Sequence, residues 1–248
     1  MNVKSTYGLR TALLVAGGSL SLVACYNKKN SEGKTFHYNE FNGIASLDPA
    51  FAKSQSVMWP SHQLFNTLVE IDDSLHIVPS LAAHWDISAD RTVFTFHLRT
   101  DVFFHDDDAF PGGKGRKLTA EDIVYSFSRI IAKQVASPGA WIFNRKVDTI
   151  QPFKAIDDST FRLKLLRPYN PILGIISMQY CSVVAREAVE KYGVDFRRHP
   201  VGTGPFRFIS WETADPDFMR FVYRRLIENG ISRLPAEPRP LLVASRTP

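Results

Sequence analysis

Cys25 offers the plainest chemistry in this chain of 248 residues. It stands directly behind Leu22-Val23-Ala24, at the end of an apolar run from Thr11 to Val23, with Lys4 and Arg10 ahead of it. A basic start, a short apolar run and a small residue before the cut are the parts of a secretory signal. A cysteine at the first position after the cut is a nucleophile placed to take a diacylglyceryl group. The spacing therefore predicts a lipoprotein signal over residues 1–24 and lipidation of Cys25. Acyl chains hold a protein at a membrane by apolar burial, roughly 0.8 kcal/mol per CH2, so the body behind them can stay water-exposed. No second apolar run approaches the roughly 20 residues that span a bilayer. Residues 25–34, rich in Asn, Lys, Ser, Glu and Gly, read as a tether.

Three other clusters invite chemistry. His105-Asp106-Asp107-Asp108 holds ligand types that suit divalent ions. Consecutive residues at a turn cannot all face one ion, however, and no metal or other cofactor is expected. Pro111-Gly112-Gly113-Lys114-Gly115-Arg116-Lys117 has the glycines and bases of a phosphate cradle but not the G-x-x-x-x-G-K-[ST] spacing, and is read as a solvated loop. Among seven histidines none has an evident nucleophile beside it, and neither G-x-S-x-G nor H-E-x-x-H occurs. The sequence thus gives no reason to expect an enzyme. With Cys25 lipidated, Cys181 is alone and reads as a buried, inert thiol.

The net charge of +5 comes from the two ends. Lys4 and Arg10 lie in the signal, and arginines 220, 224, 225, 233, 239 and 246 crowd the last stretch, leaving Cys25–Met219 close to neutral. A neutral body excludes a nucleic-acid surface as the meaning of the basic balance. The hydrophobic content of 44% and aromatic content of 12% supply a core.

The elements that must position any site follow from periodicity. Thr35–Asn39 begins an extended segment, and Ser46-Leu47-Asp48-Pro49 turns it. Leu64, Leu68 and Ile71 recur at helical spacing, predicting a helix over 61–71. Val93 to Arg99 alternates as a half-buried strand, with Val102-Phe103-Phe104 returning as its partner. Thr119 caps a helix to about Ala132 whose first turn holds Glu121 and Asp122. Phe161, Leu163 and Leu165 mark a further strand. A last helix runs from Arg186 to Tyr192 and stops at Gly193. Strands and helices mix without regular βαβ repetition, so the class is mixed α/β (α+β).

Those elements carry motifs in a telling order: Ser46-Leu47-Asp48-Pro49; Leu64-Phe65-Asn66-Thr67-Leu68; Val78-Pro79-Ser80-Leu81-Ala82 with Trp85; Phe94 to Arg99; Val102 to Asp106; Leu118 to Phe127; and Val201-Gly202-Thr203-Gly204-Pro205-Phe206 with Trp211. Together they resemble the amino-terminal lobe of the family-5 extracellular solute-binding proteins, the oligopeptide, dipeptide and nickel receptors of ABC importers. The resemblance spans 35–212 and implies the first lobe of a type II, clamshell periplasmic-binding-protein fold. Family members continue into a second lobe, whereas here 213–248 becomes an atypical Arg/Pro-rich tail, expected to be poorly ordered. That departure implies a truncated or frame-shifted product with its second lobe missing.

What the resemblance implies for function is capture without catalysis. Its terms are an oligopeptide ligand, ABC importer permease subunits as partners, and a lipid-anchored position in the periplasm or at the cell surface. Mapped onto this chain, the ligand rim falls on Gly43, Ile44, Ala45 and Ser46, whose backbone can pair with a peptide as an added strand. Met178 and Tyr180, in the apolar stretch Ile172–Val184, are further candidates, with core packing as their other reading. Gly202 and Gly204 are read as serving backbone geometry. Two alternatives stay open: a surface lipoprotein interaction module without a small-molecule ligand, and an exported hydrolase.

Overall fold

The computed structural model describes residues 35–40, 43–212 and 218–223. In chain order the regular elements are β1 (Thr35–Asn39), α1 (Gln55–Leu64), β2 (Val69–Ile71), β3 (Ile77–Pro79), β4 (Ala82–Ile87), β5 (Val93–Leu98), α2 (Ala120–Ile131), β6 (Phe153–Asp157), β7 (Thr160–Lys164), α3 (Ile172–Ile176), α4 (Arg186–Tyr192), β8 (Phe206–Glu212) and β9 (Phe218–Tyr223). The chain is mixed α/β. One antiparallel sheet has the order β4-β5-β7-β6, a second has β1-β9-β8, and β2-β3 form a hairpin. Among the described residues no helix is long and apolar enough to cross a membrane.

The four-stranded sheet follows from alternation. Phe94, Phe96 and Leu98 of β5 are buried while Val93, Thr95 and His97 are half-covered. β7 meets it in register, Phe96 opposite Phe161 and Phe94 opposite Leu163, so both strands turn their apolar residues to one face. Helix α2 packs on β6 and β7. Its buried Ile123, Phe127 and Ile130 recur at helical spacing. The ring of Phe127 lies 5.0 Å from that of Phe143 and 5.5 Å from those of Phe153 and Phe161. At the start of α2 the Thr119 amide donates to the Asp122 carboxylate at 2.9 Å, a cap that satisfies an otherwise orphaned donor. Helix α4 ends at Gly193, as its sequence predicts.

Two expectations are corrected. The apolar spacing over 61–71 is not one helix: α1 starts earlier and ends at Leu64, Phe65 is extended, and Val69–Ile71 is strand β2. Long-range backbone bonds hold the chain open after Leu64, with Val183 N–H donating to Asn66 O at 3.0 Å and Ala82 N–H to Leu68 O at 2.9 Å. Nor does Val102–Phe104 pair with β5, whose two edges are taken by β4 and β7. Phe103 instead bridges Lys117, and Leu118 N–H donates to Val102 O at 3.0 Å. A third difference concerns the stretch after residue 212. Phe218–Tyr223 forms the central strand of the three-stranded sheet, with Phe36 opposite Phe221 on one side and Phe221 opposite Phe208 on the other. Residues 1–34, which include the signal, Cys25 and the tether, lie outside the described residues, as do 213–217 and 224–248.

The acid response of this fold can be tested at Asp148. Its Oδ1 accepts the amides of Ile150 and Gln151, each at 2.9 Å, and its Oδ2 meets Lys164 Nζ at 3.0 Å. The amides of Gln151 and Ile150, and then Lys164, hold its carboxyl down to about 2. An unfolded Asp titrates at about 3.9. The stabilisation is therefore complete above the unfolded value and is lost as pH falls through about 2. Asp148→Asn keeps an oxygen for the two amides and removes the charge. Urea midpoints measured across the acid range should fall less steeply for this variant than for the parent below about pH 4. Parallel curves would show that the site contributes nothing to acid sensitivity.

Candidate ligand-facing rim

Ser46-Leu47-Asp48-Pro49 folds around its own side chains. Asp48 N–H donates to Ser46 Oγ at 3.0 Å, and Ala50 N–H donates to Asp48 Oδ1 at 3.0 Å. Asp48 thereby caps the short helical turn Pro49–Phe51. Its carboxylate is also gripped by both terminal nitrogens of Arg129 in the last turn of α2, one of them at 2.8 Å to Oδ1 and the other on Oδ2. Asp48 and Arg129 are 6% and 12% exposed at their side chains, so the pair is shielded from water. The Arg129 guanidinium stands 5.7 Å from the ring centre of Phe196. From the same turn, Gly193–Arg198, Arg197 O accepts the Leu47 amide at 2.8 Å.

The four rim candidates precede this knot. Gly43 has φ +69°, a left-handed conformation that glycine adopts without strain, and its amide closes a turn to Glu40 O at 3.2 Å. Ile44 is buried in the core, Ala45 is exposed, and Ser46 is buried through its capping role. Among the described residues the amides of Ile44, Ala45 and Ser46 donate no hydrogen bond. The segment belongs to no sheet. Backbone amides are nearly always paired, so three in a row with no acceptor among the described residues mark this segment out.

Tyr180 and Met178 lie on the neighbouring segment. The turn Gln179–Cys181 packs against Pro49–Phe51 and against α1. Gln179 Nε2 meets His62 Nδ1 at 2.9 Å, and Ser137 Oγ donates to Ala50 O at 2.5 Å. Met178 is half-buried. Tyr180 is 7% exposed, its ring pressed on Gly139, where a Cβ would come within 2.6 Å of it. Burial pushes the Tyr180 hydroxyl above its ordinary value. The structure thus brings the Tyr180 segment to the capped turn that follows Ser46. Cys181, beside it, is a fully buried free thiol held neutral by its surroundings.

The other clusters serve the framework. His105 Nε2 lies 2.8 Å from Gly204 O, and the His105 amide donates to Gly202 O at 2.8 Å. Asp107 accepts the Tyr192 hydroxyl at 2.8 Å, and Asp106 accepts the Gly115 amide at 3.0 Å. No group of three metal-ligating side chains that could hold an ion occurs among the described residues. In the glycine-rich loop Arg116 is bound by Asp122 at 2.7 and 2.8 Å and by Glu187 at 2.6 and 2.9 Å. Hydrogen bonds from Arg116 hold the Glu187 carboxyl below the usual range. A surface cavity of about 450 Å³ lies at the β4–β5 turn, lined by Ile87, Arg91, Phe94, Tyr169 and Leu173 among others. It shares no residue with the rim. Arg129 is the residue that the sequence reading passed over. Its position on α2 gave a sign, a cation in a last turn, but nothing local names a partner 81 positions away.

Against known proteins, the model for bacterial extracellular solute-binding proteins, family 5, matches residues 76–224. The chain is 31% identical over 209 residues to the dipeptide-binding protein of Escherichia coli strain K12, covering 78% of this chain and 38% of that protein. Heme-binding protein A of Haemophilus influenzae is 31% identical over 233 residues, with 83% of this chain and 42% of that protein covered. Among solved structures, the ABC transporter-associated periplasmic binding protein DppA from Helicobacter pylori, in complex with the peptide STSA, superimposes with a TM-score of 0.60 at 31% identity. It covers 68% of this chain and 35% of that one. The chain therefore spans roughly two-fifths or less of the length of each.

Proposed function

The chain belongs to the bacterial extracellular solute-binding proteins of family 5, and from that membership we propose that it acts as the first lobe of a receptor capturing oligopeptides for an ABC importer. Family membership is of substrate-binding proteins, so capture rather than catalysis is the expected work. The observation that carries the peptide reading is the backbone of Ile44-Ala45-Ser46, whose amides donate to no described residue, between left-handed Gly43 and the capped turn at Asp48. An extended peptide laid along it gains main-chain hydrogen bonds without regard to its side chains, which is how β-strand addition reads peptides broadly. The hydroxyl end of Tyr180, on the segment packed against that turn, is the side-chain contact in this reading. Lipidation at Cys25 holds the lobe outside the cytoplasmic membrane beside the permease subunits. Closure around the ligand needs a second lobe. One lobe alone is therefore expected to bind peptide weakly.

Titration of the 15N-labelled chain with a tetrapeptide tests this. Saturable shifts are expected at the amides of Ile44, Ala45 and Ser46. The same peptide N-methylated at alternate amides cannot complete a strand, and should shift them at least about tenfold less at equal concentration. Equal responses to the two peptides, or shifts confined to other residues, would remove the rim from the proposal.

A further inference from the structure

We infer that Arg129 and Asp48 form a positioning clasp, whose work is to fix the path of the backbone at Ser46–Ala52 rather than to add stability. The inference rests on the reading of Gly43–Ser46 as the rim, but its primary test does not.

The argument starts from what else holds this segment. Ile44, Ala45 and Ser46 gain nothing from a sheet ladder, and their amides donate to no described residue. Among the described residues, what directs this backbone beyond the burial of Ile44 lies at its two ends. At the upstream end stands Gly43, which alone fixes little. At the downstream end stands Asp48, on which three constraints meet. Its amide is held by Ser46 Oγ, its Oδ1 holds Ala50 N–H, and both oxygens are held by Arg129. Arg129 is itself placed by helix α2 and by the Phe196 ring beneath it. The turn bearing Phe196 grips the same segment a second time, through Arg197 O and the Leu47 amide. Helix α2 and the Gly193–Arg198 turn therefore close on Leu47-Asp48 from two directions.

A shielded ion pair is weak evidence for stability, because desolvating both charges offsets their attraction. What a guanidinium fork adds is direction. Two parallel hydrogen bonds fix both the distance and the angle between helix and turn, which an apolar contact of equal volume does not. A rim ordered in advance spares an arriving ligand the cost of ordering it.

Amide hydrogen exchange on the full chain separates direction from stability. In the clasped segment the Phe51 and Ala52 amides donate to Asp48 O and Pro49 O and the Leu47 amide to Arg197 O, while the amides of β5 and β7 report the core. Arg129→Lys keeps the charge and loses the fork. Its melting midpoint should stay close to the parent's, while Leu47, Phe51 and Ala52 exchange at least about tenfold faster and the core amides do not change. Should that variant prove unstable, D48N/R129M serves. It removes both charges, keeps an acceptor for Ala50 N–H, and should give the same pattern. Exchange within about twofold of the parent at all three amides overturns the clasp, and so does acceleration shared equally with β5 and β7, which is global destabilisation alone. The tetrapeptide titration then reads the rim separately. Local exchange that quickens in a chain whose Ile44–Ser46 amides never respond to peptide keeps the clasp and removes the rim.

Discussion

Replacing Gly204 by alanine is expected to cost the fold about 3 kcal/mol or more, because the added methyl group meets only backbone. A Cβ at 204 would lie 2.5 Å from the carbonyl carbon of Leu64, 2.6 Å from Gln63 O and 2.7 Å from Phe65 N. No rotamer relieves such contacts, since none of these atoms belongs to a side chain. Either the end of α1 or the 201–205 segment must retreat. Retreat endangers the bond from Gly204 N–H to Leu64 O at 2.9 Å and the contact of His105 Nε2 with Gly204 O at 2.8 Å. Overpacking ordinarily costs about 1–3 kcal/mol, and each lost hydrogen bond about 1 more. The end of α1 also carries His62, which meets Gln179, so the strain reaches the segment of Tyr180. Urea denaturation of the purified variant reads the cost as a lower midpoint with little change in slope. Gly174→Ala is the control: nothing lies within 4 Å of a Cβ there, and stability should hold or rise. A Gly204→Ala unfolding free energy within about 1 kcal/mol of the parent's would mean that the two segments slide apart freely.

That close approach illustrates what could be read from the sequence and what could not. The glycines at 202 and 204 were legible as backbone positions, but the partner they admit, the end of α1, comes from more than 130 residues earlier and leaves no local trace. Strands β5 and β7 and helices α2 and α4 were legible because each buries one face, and burial writes a period of two or of 3.6 into the chain. The Leu64, Leu68, Ile71 spacing wrote the same period where no helix forms. After Leu64 the backbone bonds from Gly204, Val183 and Ala82 determine the path, and propensity yields to them. Val102–Phe104 misled for a related reason. Adjacency in sequence made it the natural partner of β5, while β7, some 60 residues on, occupies that edge. The candidate rim was read from its motif alone. What the motif could not supply is that Asp48 spends its charge on Arg129, for a residue in a turn does not announce a partner on a distant helix.

Phe127→Ala is expected to cost about 3–5 kcal/mol and to loosen the Leu47–Ala52 segment through helix α2. Phe127 is fully buried, and its ring meets Phe143 at 5.0 Å and Phe153 and Phe161 at 5.5 Å, the last two close to edge-on. Truncation removes the ring's transfer free energy and leaves a space that Phe153 and Phe161, held in the sheet, cannot refill. Those edge-on contacts add about 0.5–1.5 kcal/mol beyond area, a gain that Phe127→Leu also forgoes. The leucine variant should therefore lose roughly half as much as the alanine one. Helix α2 is held at its start by Asp122 and Arg116, at its middle by Phe127 and in its last turn by Arg129 on Asp48. With the middle anchor loosened, the helix can shift on the sheet, and a fork that demands one angle tolerates a shift less well than packing does. Exchange at Leu47, Phe51 and Ala52 should consequently rise in Phe127→Ala by more than its global loss of stability explains, once compared with the slowest amides of β5. A rise no larger than that loss would show that helix α2 holds its angle on the sheet without Phe127, and that another contact sets the Leu47–Ala52 segment.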